Sequence, residues 1–212
     1  MSKLSVAAIV VLLSLLIAGN ASALPMAELT LQSDAGDFIG QGQTEDITYT
    51  PSNSDFFSAQ ITQEVGGQPA YLTFFMGTTV SPNTFSTLGF STVQLGEPIQ
   101  VGTFDDAQRA AFEMTGHPGL DVTFQNRGSN TLTGSFTVNS VSFFTDASNV
   151  LQIGFFDVNF VQHSEGATPA LSGHFVYQAV PIVTVPEPAT VALLGLGVAA
   201  IGFTRRRARS IH

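Results

Sequence analysis

The chain has 212 residues, room for one domain or for two small ones. It holds no Cys, which excludes disulfide staples and thiolate metal sites, and only 11% of its residues are charged, too few for a coiled coil. Residues 24–184 keep only Arg109 and Arg127 against 15 of the 16 acidic side chains, a net charge of −13, and a body so anionic repels phosphate backbones and excludes nucleic acid as a partner.

The N-terminus reads MSKLSVAAIVVLLSLLIAGNASALP. Lys3 gives a positive start, residues 6–18 an apolar run of secretory length, and Ala21-Ser22-Ala23 a small-x-small cleavage site. Residues 1–23 are therefore expected to be a signal peptide cut after Ala23, and the protein to be exported.

The body alternates apolar and polar side chains, the pattern of half-buried strands. Leu29 and Leu31 share a face, as do Phe57, Ala59 and Ile61. Residues 70–76, AYLTFFM, are apolar on both faces and read as a central strand. Residues 105–114 read as the single helix, with an Asp N-cap and two alanines. Leu120, Val122 and Phe124 form one alternating run, and Leu132, Gly134, Phe136 and Val138 another. The turn-rich link Asn126-Arg127-Gly128-Ser129-Asn130 joins them as a β-hairpin. Leu151, Ile153 and Phe155 share one parity and Phe156, Val158 and Phe160 the other, so a β-bulge is expected near Gly154, and a second phase break falls near Asn139 and Ser140. Leu171, Gly173, Phe175 and Tyr177 complete a last strand. Bulges and corners suit a curved sheet, so the expected fold is all-β, a single β-sandwich or jelly-roll-like domain over residues 24–180.

Four Phe pairs stand side by side: Phe56-Phe57, Phe74-Phe75, Phe143-Phe144 and Phe155-Phe156. Strand neighbours point to opposite faces, so one ring of each pair is expected to leave the core.

No residue set reads as catalytic. Gln162-His163-Ser164-Glu165-Gly166 sets His, Ser and Glu side by side, but triad members meet through the fold rather than along the chain. That stretch is expected to be a polar loop after a strand. His117, before Pro118-Gly119, reads as a turn residue, and His174 as outward-facing. No metal centre is expected from the histidines. Asp34, Asp37, Asp105 and Asp106 sit in Gly-flanked or loop-like stretches and are the candidate Ca²⁺ ligands, although no repeated Asp spacing accompanies them. Beyond calcium no cofactor is expected.

The C-terminus reads VPEPATVALLGLGVAAIGFTRRRARSIH. Residues 181–188 are expected to be a linker, 189–204 a transmembrane helix and 205–212 a basic cytoplasmic tail. The fifteen residues of the apolar run 189–203 span about 22 Å as a helix, short of a bilayer core of about 30 Å, and snorkelling arginines can cover part of the mismatch. Arg205, Arg206, Arg207 and Arg209 keep the tail cytoplasmic and face the body outward.

Val185, Pro186, Glu187 and Pro188, followed by a short apolar helix and a terminal Arg cluster, resemble the PEP-CTERM sorting signal. The resemblance implies a bacterial envelope protein processed by an exosortase, a membrane-embedded Cys protease or transpeptidase, in systems that accompany exopolysaccharide production. It makes Pro186, Glu187 and Pro188 the recognition element. Two prolines hold that strip extended, as a protease cleft requires.

A second resemblance covers most of the body. SDAGDFIGQGQ, AQRAAFEMTGHPGLDVTFQNRGSNTLTGSF and FVQHSEGATPALSGHFVY are similar to an uncharacterised all-β domain of secreted bacterial proteins. That domain carries G-R-G-C-N and Q-H-C-E-G where this chain has Ser129 and Ser164. If the two Cys of that pattern bond, the resemblance implies that Ser129 and Ser164 lie close in space.

These readings lead to a non-enzymatic cell-surface or matrix protein, structural or adhesive and associated with exopolysaccharide. Its partners would be an exosortase-like membrane protease and, through the C-terminal helix, the membrane. The alternative is a secreted carbohydrate-binding module or carbohydrate-active enzyme. With no Trp and three Tyr the chain offers few rings with the polar handle that sugar faces usually carry.

Overall fold

The computed structural model describes residues 25–179, which fall in one compact unit, Ala23–Pro181. The expected signal peptide, membrane helix and basic tail, and residues 180–188 of the linker region, lie outside the described residues. Among those described, no helix is long and apolar enough to cross a membrane.

The described chain is all-β. Its strands are β1 (Met26–Ser33), β2 (Thr44–Tyr49), β3 (Phe56–Val65), β4 (Gln68–Gly77), β5 (Ser86–Ser91), β6 (Gly102–Arg109), β7 (Gly119–Phe124), β8 (Leu132–Thr145), β9 (Leu151–Ser164) and β10 (Ala170–Gln178). One short 3₁₀ turn, Val93–Leu95, follows β5. The strands form one sheet in the order β2-β1-β10-β9-β8-β6-β7-β5-β4-β3. Neighbours are antiparallel except β6 and β7, which run parallel through Gln108↔Gly119 and Arg109↔Leu120. β6 is thus the joint: it completes the β8 side of the sheet and, in its last two residues, starts the β7 side.

Around that joint the sheet doubles over on its apolar face. Alternation supplies the face: Leu29, Leu31, Leu72, Phe74, Met76, Phe90, Val122, Phe136, Val158 and Phe175 are all fully buried. Rings from the two halves meet across the fold. Phe74 of β4 lies 5.4 Å from Phe156 of β9 and 4.8 Å from Phe175 of β10, and Phe90 of β5 lies 5.4 Å from Phe136 of β8. Each buried Phe contributes about 1.5–3 kcal/mol by leaving water, and each such ring pair about 0.5–1.5 kcal/mol more. Of the paired phenylalanines, Phe74 and Phe156 fill the core, Phe56 is 45% exposed and rests against Phe85, and Phe75, Phe144 and Phe155 are half-buried. No pair sends both rings inside.

The two phase breaks are bulges. Asn139 is the extra residue of β8, between Val138↔Val158 and Ser140↔Asp157, and Gly154 is the extra residue of β9, between Ser142↔Phe155 and Phe143↔Ile153. They fall on opposite strands of one pair, so the second restores the register that the first shifts.

Three expectations change. Residues 105–114 are not a helix. Phe104 and Ala107 are buried three residues apart because of a bulge: Asp105 and Asp106 of β6 together face Ser135 of β8, between Phe104↔Phe136 and Ala107↔Gly134. Asp106 takes a positive φ of 57° there. The link 126–130 does not close a hairpin. Gln125 and Asn126 both have positive φ, as a tight hairpin turn requires, and Phe124 bridges Arg127. The returning chain leaves at once, because β6 occupies the place between β7 and β8. Finally, residues 70–76 belong to β4, one strand in from the edge rather than central.

Candidate functional site

The sorting residues Val185, Pro186, Glu187 and Pro188, the arginines 205, 206, 207 and 209, and the cleavage residues Ala21 and Ala23 lie outside the described residues. The remaining expectations can be placed.

Gln162, His163 and Ser164 end strand β9 rather than forming a loop, and Glu165 and Gly166 make the turn that follows. Their side chains take separate partners. The fully buried Gln162 amide accepts from Val122 N–H at 2.9 Å and donates to Val122 C=O at 3.1 Å. It gives β7 the partner that the early end of β6 leaves missing. His163 Nδ1 meets Thr168 C=O at 2.9 Å. Ser164 and Ser129, each 4% exposed, share a hydrogen bond of 2.6 Å between their hydroxyls. The closeness expected of these two serines is present. Glu165, exposed, accepts from the backbone N–H groups of Asn130 and Thr131 and from the Thr131 hydroxyl. Chiefly the Asn130 N–H holds its carboxyl below the usual range.

The acidic candidates divide. Asp37, 4% exposed, accepts from Gly40 N–H at 2.7 Å and from the Ser33 hydroxyl at 2.9 Å, which closes the turn after β1. Asp34 accepts from Ala170 N–H at 3.0 Å. Asp105 and Asp106 sit in the exposed bulge of β6, where Asp106 faces His117 Nδ1 at 3.1 Å. Among the described residues no group of three or more His, Cys, Asp or Glu side chains is placed to hold a metal ion. His174, exposed as expected, meets Asp157 at 2.8 Å, and the bulge residue Asn139 donates to the same oxygen.

A cluster that sequence reasoning missed lies on the outer face of β4, β5 and β7, opposite the aromatic core. The pairings Tyr71↔Ser91, Ser91↔Gly119 and Gly89↔Asp121 place its members on neighbouring strands. Two glycines make the room. A Cβ at Gly119 would come within 2.9 Å of the Glu113 carboxyl, and one at Gly89 within 3.2 Å of the Tyr71 hydroxyl. Glu113, from the loop between β6 and β7, thus fills a slot in the sheet and accepts from the Ser91 hydroxyl at 2.7 Å. Arg109 Nε donates to Asp121 at 3.2 Å, and its guanidinium lies 4.9 Å over the Phe112 ring. One oxygen of Glu113 (Oε2) and one of Asp121 (Oδ1) are buried with no hydrogen-bond partner among the described residues. Burial pushes the Asp121 carboxyl up, against the pull of Arg109. Burial also raises the Tyr71 hydroxyl, Thr73 draws it back by a hydrogen bond, and the charges of Asp121 and Glu113 raise it further. The signal in the sequence was the scarcity of cations: Arg109, one of two in the body, had to answer some carboxylate.

No curated protein and no solved structure matches the chain. A family model, the PEP-CTERM protein-sorting motif, matches residues 184–207. That stretch contains the Val185–Pro188 strip, the apolar run and the first arginines, the three parts whose order suggested the signal. The chain carries a PEP-CTERM sorting motif, which implies export and membrane-anchored sorting by exosortase before processing.

Proposed function

We propose that this is an exported cell-surface or extracellular-matrix protein whose β body acts as a structural or adhesive module associated with exopolysaccharide. The carrying observation is the sorting motif at residues 184–207. The body supports the reading in three ways. Its apolar face is closed by the doubled sheet, in the manner of a sandwich-like module, and needs no covalent staple. Its surface carries a strong negative charge, which keeps it soluble and dispersed outside the cell. The contact of Ser129 with Ser164 supports its likeness to the all-β domain of secreted proteins.

A second reading, a carbohydrate-active enzyme, would draw on Glu113 and Asp121, since glycoside hydrolysis uses two carboxylates. Their unpaired oxygens are buried rather than open to a substrate, so the first reading is preferred. Fractionation of host cells tests it. The wild-type chain should leave the inner membrane for the surface or matrix. A variant with Pro186, Glu187 and Pro188 all changed to Ala should stay in the membrane. Equal release of both would refute sorting through this strip.

A further inference from the structure

The two outermost strands of the sheet, β2 and β3, are finished differently. β2 is six residues long, carries Glu45 and Asp46, and gives its Thr48 C=O to the Asn53 side-chain amide at 2.9 Å. Short length and charge are the usual guards of a free edge. β3 is ten residues long and, among the described residues, pairs with β4 alone. From Phe56 to Ile61 it reads FFSAQI, with no charge, no Pro and no Gly, in regular pairing with β4. Its bulge and its one acid, Glu64, come only after Ile61. A free edge of that composition is a template for another strand.

Burial agrees with composition. None of the ten side chains of β3 is fully buried, although Phe57, Ala59 and Ile61 pack against the core. A strand laid beside β3 would carry the inward face one row further and cover these three.

We propose that β3 pairs antiparallel with β3 of a second copy of this chain, so that two sheets join into one across a twofold axis at Ala59. Symmetry and charge set the register. Two identical antiparallel strands are related by a twofold axis perpendicular to the sheet, so inward side chains stand opposite inward side chains. Centring on Ala59 sets Phe57 opposite the partner's Ile61, Ser58 opposite the partner's Gln60, and the small Ala59 opposite itself. Asp55 then meets the partner's Gln63, and no two acids face each other. Moving the centre to Ser58 would set Asp55 opposite the partner's Ile61. Moving it to Gln60 would set Phe56 opposite the partner's Glu64 and draw in the bulge. The bodies are both anionic, but charges farther apart than about 8 Å are largely screened at physiological ionic strength. This association belongs to the body and stands independently of the sorting motif.

The chain has no Cys, so one introduced thiol reports one contact. The test uses the full chain in neutral detergent, with native mass spectrometry and mild oxidation. The wild type should be a dimer. Ala59→Cys should cross-link to itself, because opposite Cβ atoms of an antiparallel pair lie about 4.5–5.5 Å apart. Thr48→Cys, on the guarded edge, should cross-link at least about tenfold more slowly, since only collision brings its thiols together. Ser58→Glu combined with Gln60→Glu sets like charges opposite at two places and should weaken the dimer at least about tenfold. A wild type that stays monomeric overturns the proposal, and slow exchange of its 56–61 amides would assign the edge to a segment of the same chain. Equal cross-linking of Ala59→Cys and Thr48→Cys, or a dimer unmoved by the paired Glu substitutions, also overturns it and places the association elsewhere, the apolar tail included. A mixed disulfide between Ala59→Cys and Thr48→Cys that forms fastest would replace the twofold pair by head-to-tail growth of β3 on β2.

Discussion

Glu165 and Asp121 both answer Arg109, and the fold treats them in opposite ways. Glu165 is exposed, yet two backbone N–H groups and a hydroxyl converge on it and its carboxyl is held down. Asp121 is half-buried and has the guanidinium as a direct partner, yet one oxygen finds no donor and its carboxyl is pushed up. Proximity to the cation does not decide the outcome. The number of donors and the loss of water do. Arg109 also donates to Asn130 C=O at 3.3 Å, on the very segment that Glu165 clamps, so the two sites share one cation.

Bracing one site should leave the other untouched. With Ser129 and Ser164 both replaced by Cys, a disulfide should form under oxidising conditions and stabilise the fold by about 2–4 kcal/mol. The two hydroxyls already lie 2.6 Å apart beside Glu165, so little movement is needed. Free thiols by mass after oxidation would contradict the contact. Arg109→Met should be next in size. It strands Asp121 and loosens Asn130, at a cost of about 1–3 kcal/mol, reduced because the pair is partly solvated. A chemical denaturation midpoint that does not move would show that Arg109 binds neither site.

The smallest effects are the most diagnostic, because they differ in sign with pH. The folded Asp121 carboxyl lies above its unfolded value, so it penalises the fold at neutral pH and the penalty fades as pH falls through the raised value. Asp121→Asn should remove that penalty and flatten this part of the profile. Glu165 is held below its unfolded value, so its contribution is complete above the ordinary carboxylate range and disappears on acidification through the lowered value. Glu165→Gln should therefore lower the melting temperature at neutral pH and leave it unchanged in strong acid. Matching profiles for the two variants would abolish the contrast.

Alternation in the sequence was enough to find most of the strands, because one face of each is buried and a period of two records it. Leu120, Val122 and Phe124 are an example, and the phase slip around Gly154 located a bulge before any coordinates. The same logic failed at Asp105 and Asp106. One inserted residue broke the period of two between Phe104 and Ala107, and the aspartates and alanines of 105–114 then read as a capped helix. The hairpin at Asn126 failed for a different reason: the turn chemistry was right, but only topology places β6 between its arms. The outer-face cluster was illegible because its members come from four separate stretches, and the glycines that admit Glu113 and Tyr71 look like any others in the chain. Gln162 was hidden as one polar residue among several, although it alone completes the hydrogen bonding of Val122.

The sorting of this chain rests on its tail, and intact mass measures it most directly. The protein would be recovered from its native host in membrane and released fractions. The account predicts a released form that ends within or just after the 185–190 region, with the apolar run and the arginines gone. A chain that retains Arg205, Arg206 and Arg207 in the membrane, with no shortened form released, would contradict it and leave a membrane-anchored β body.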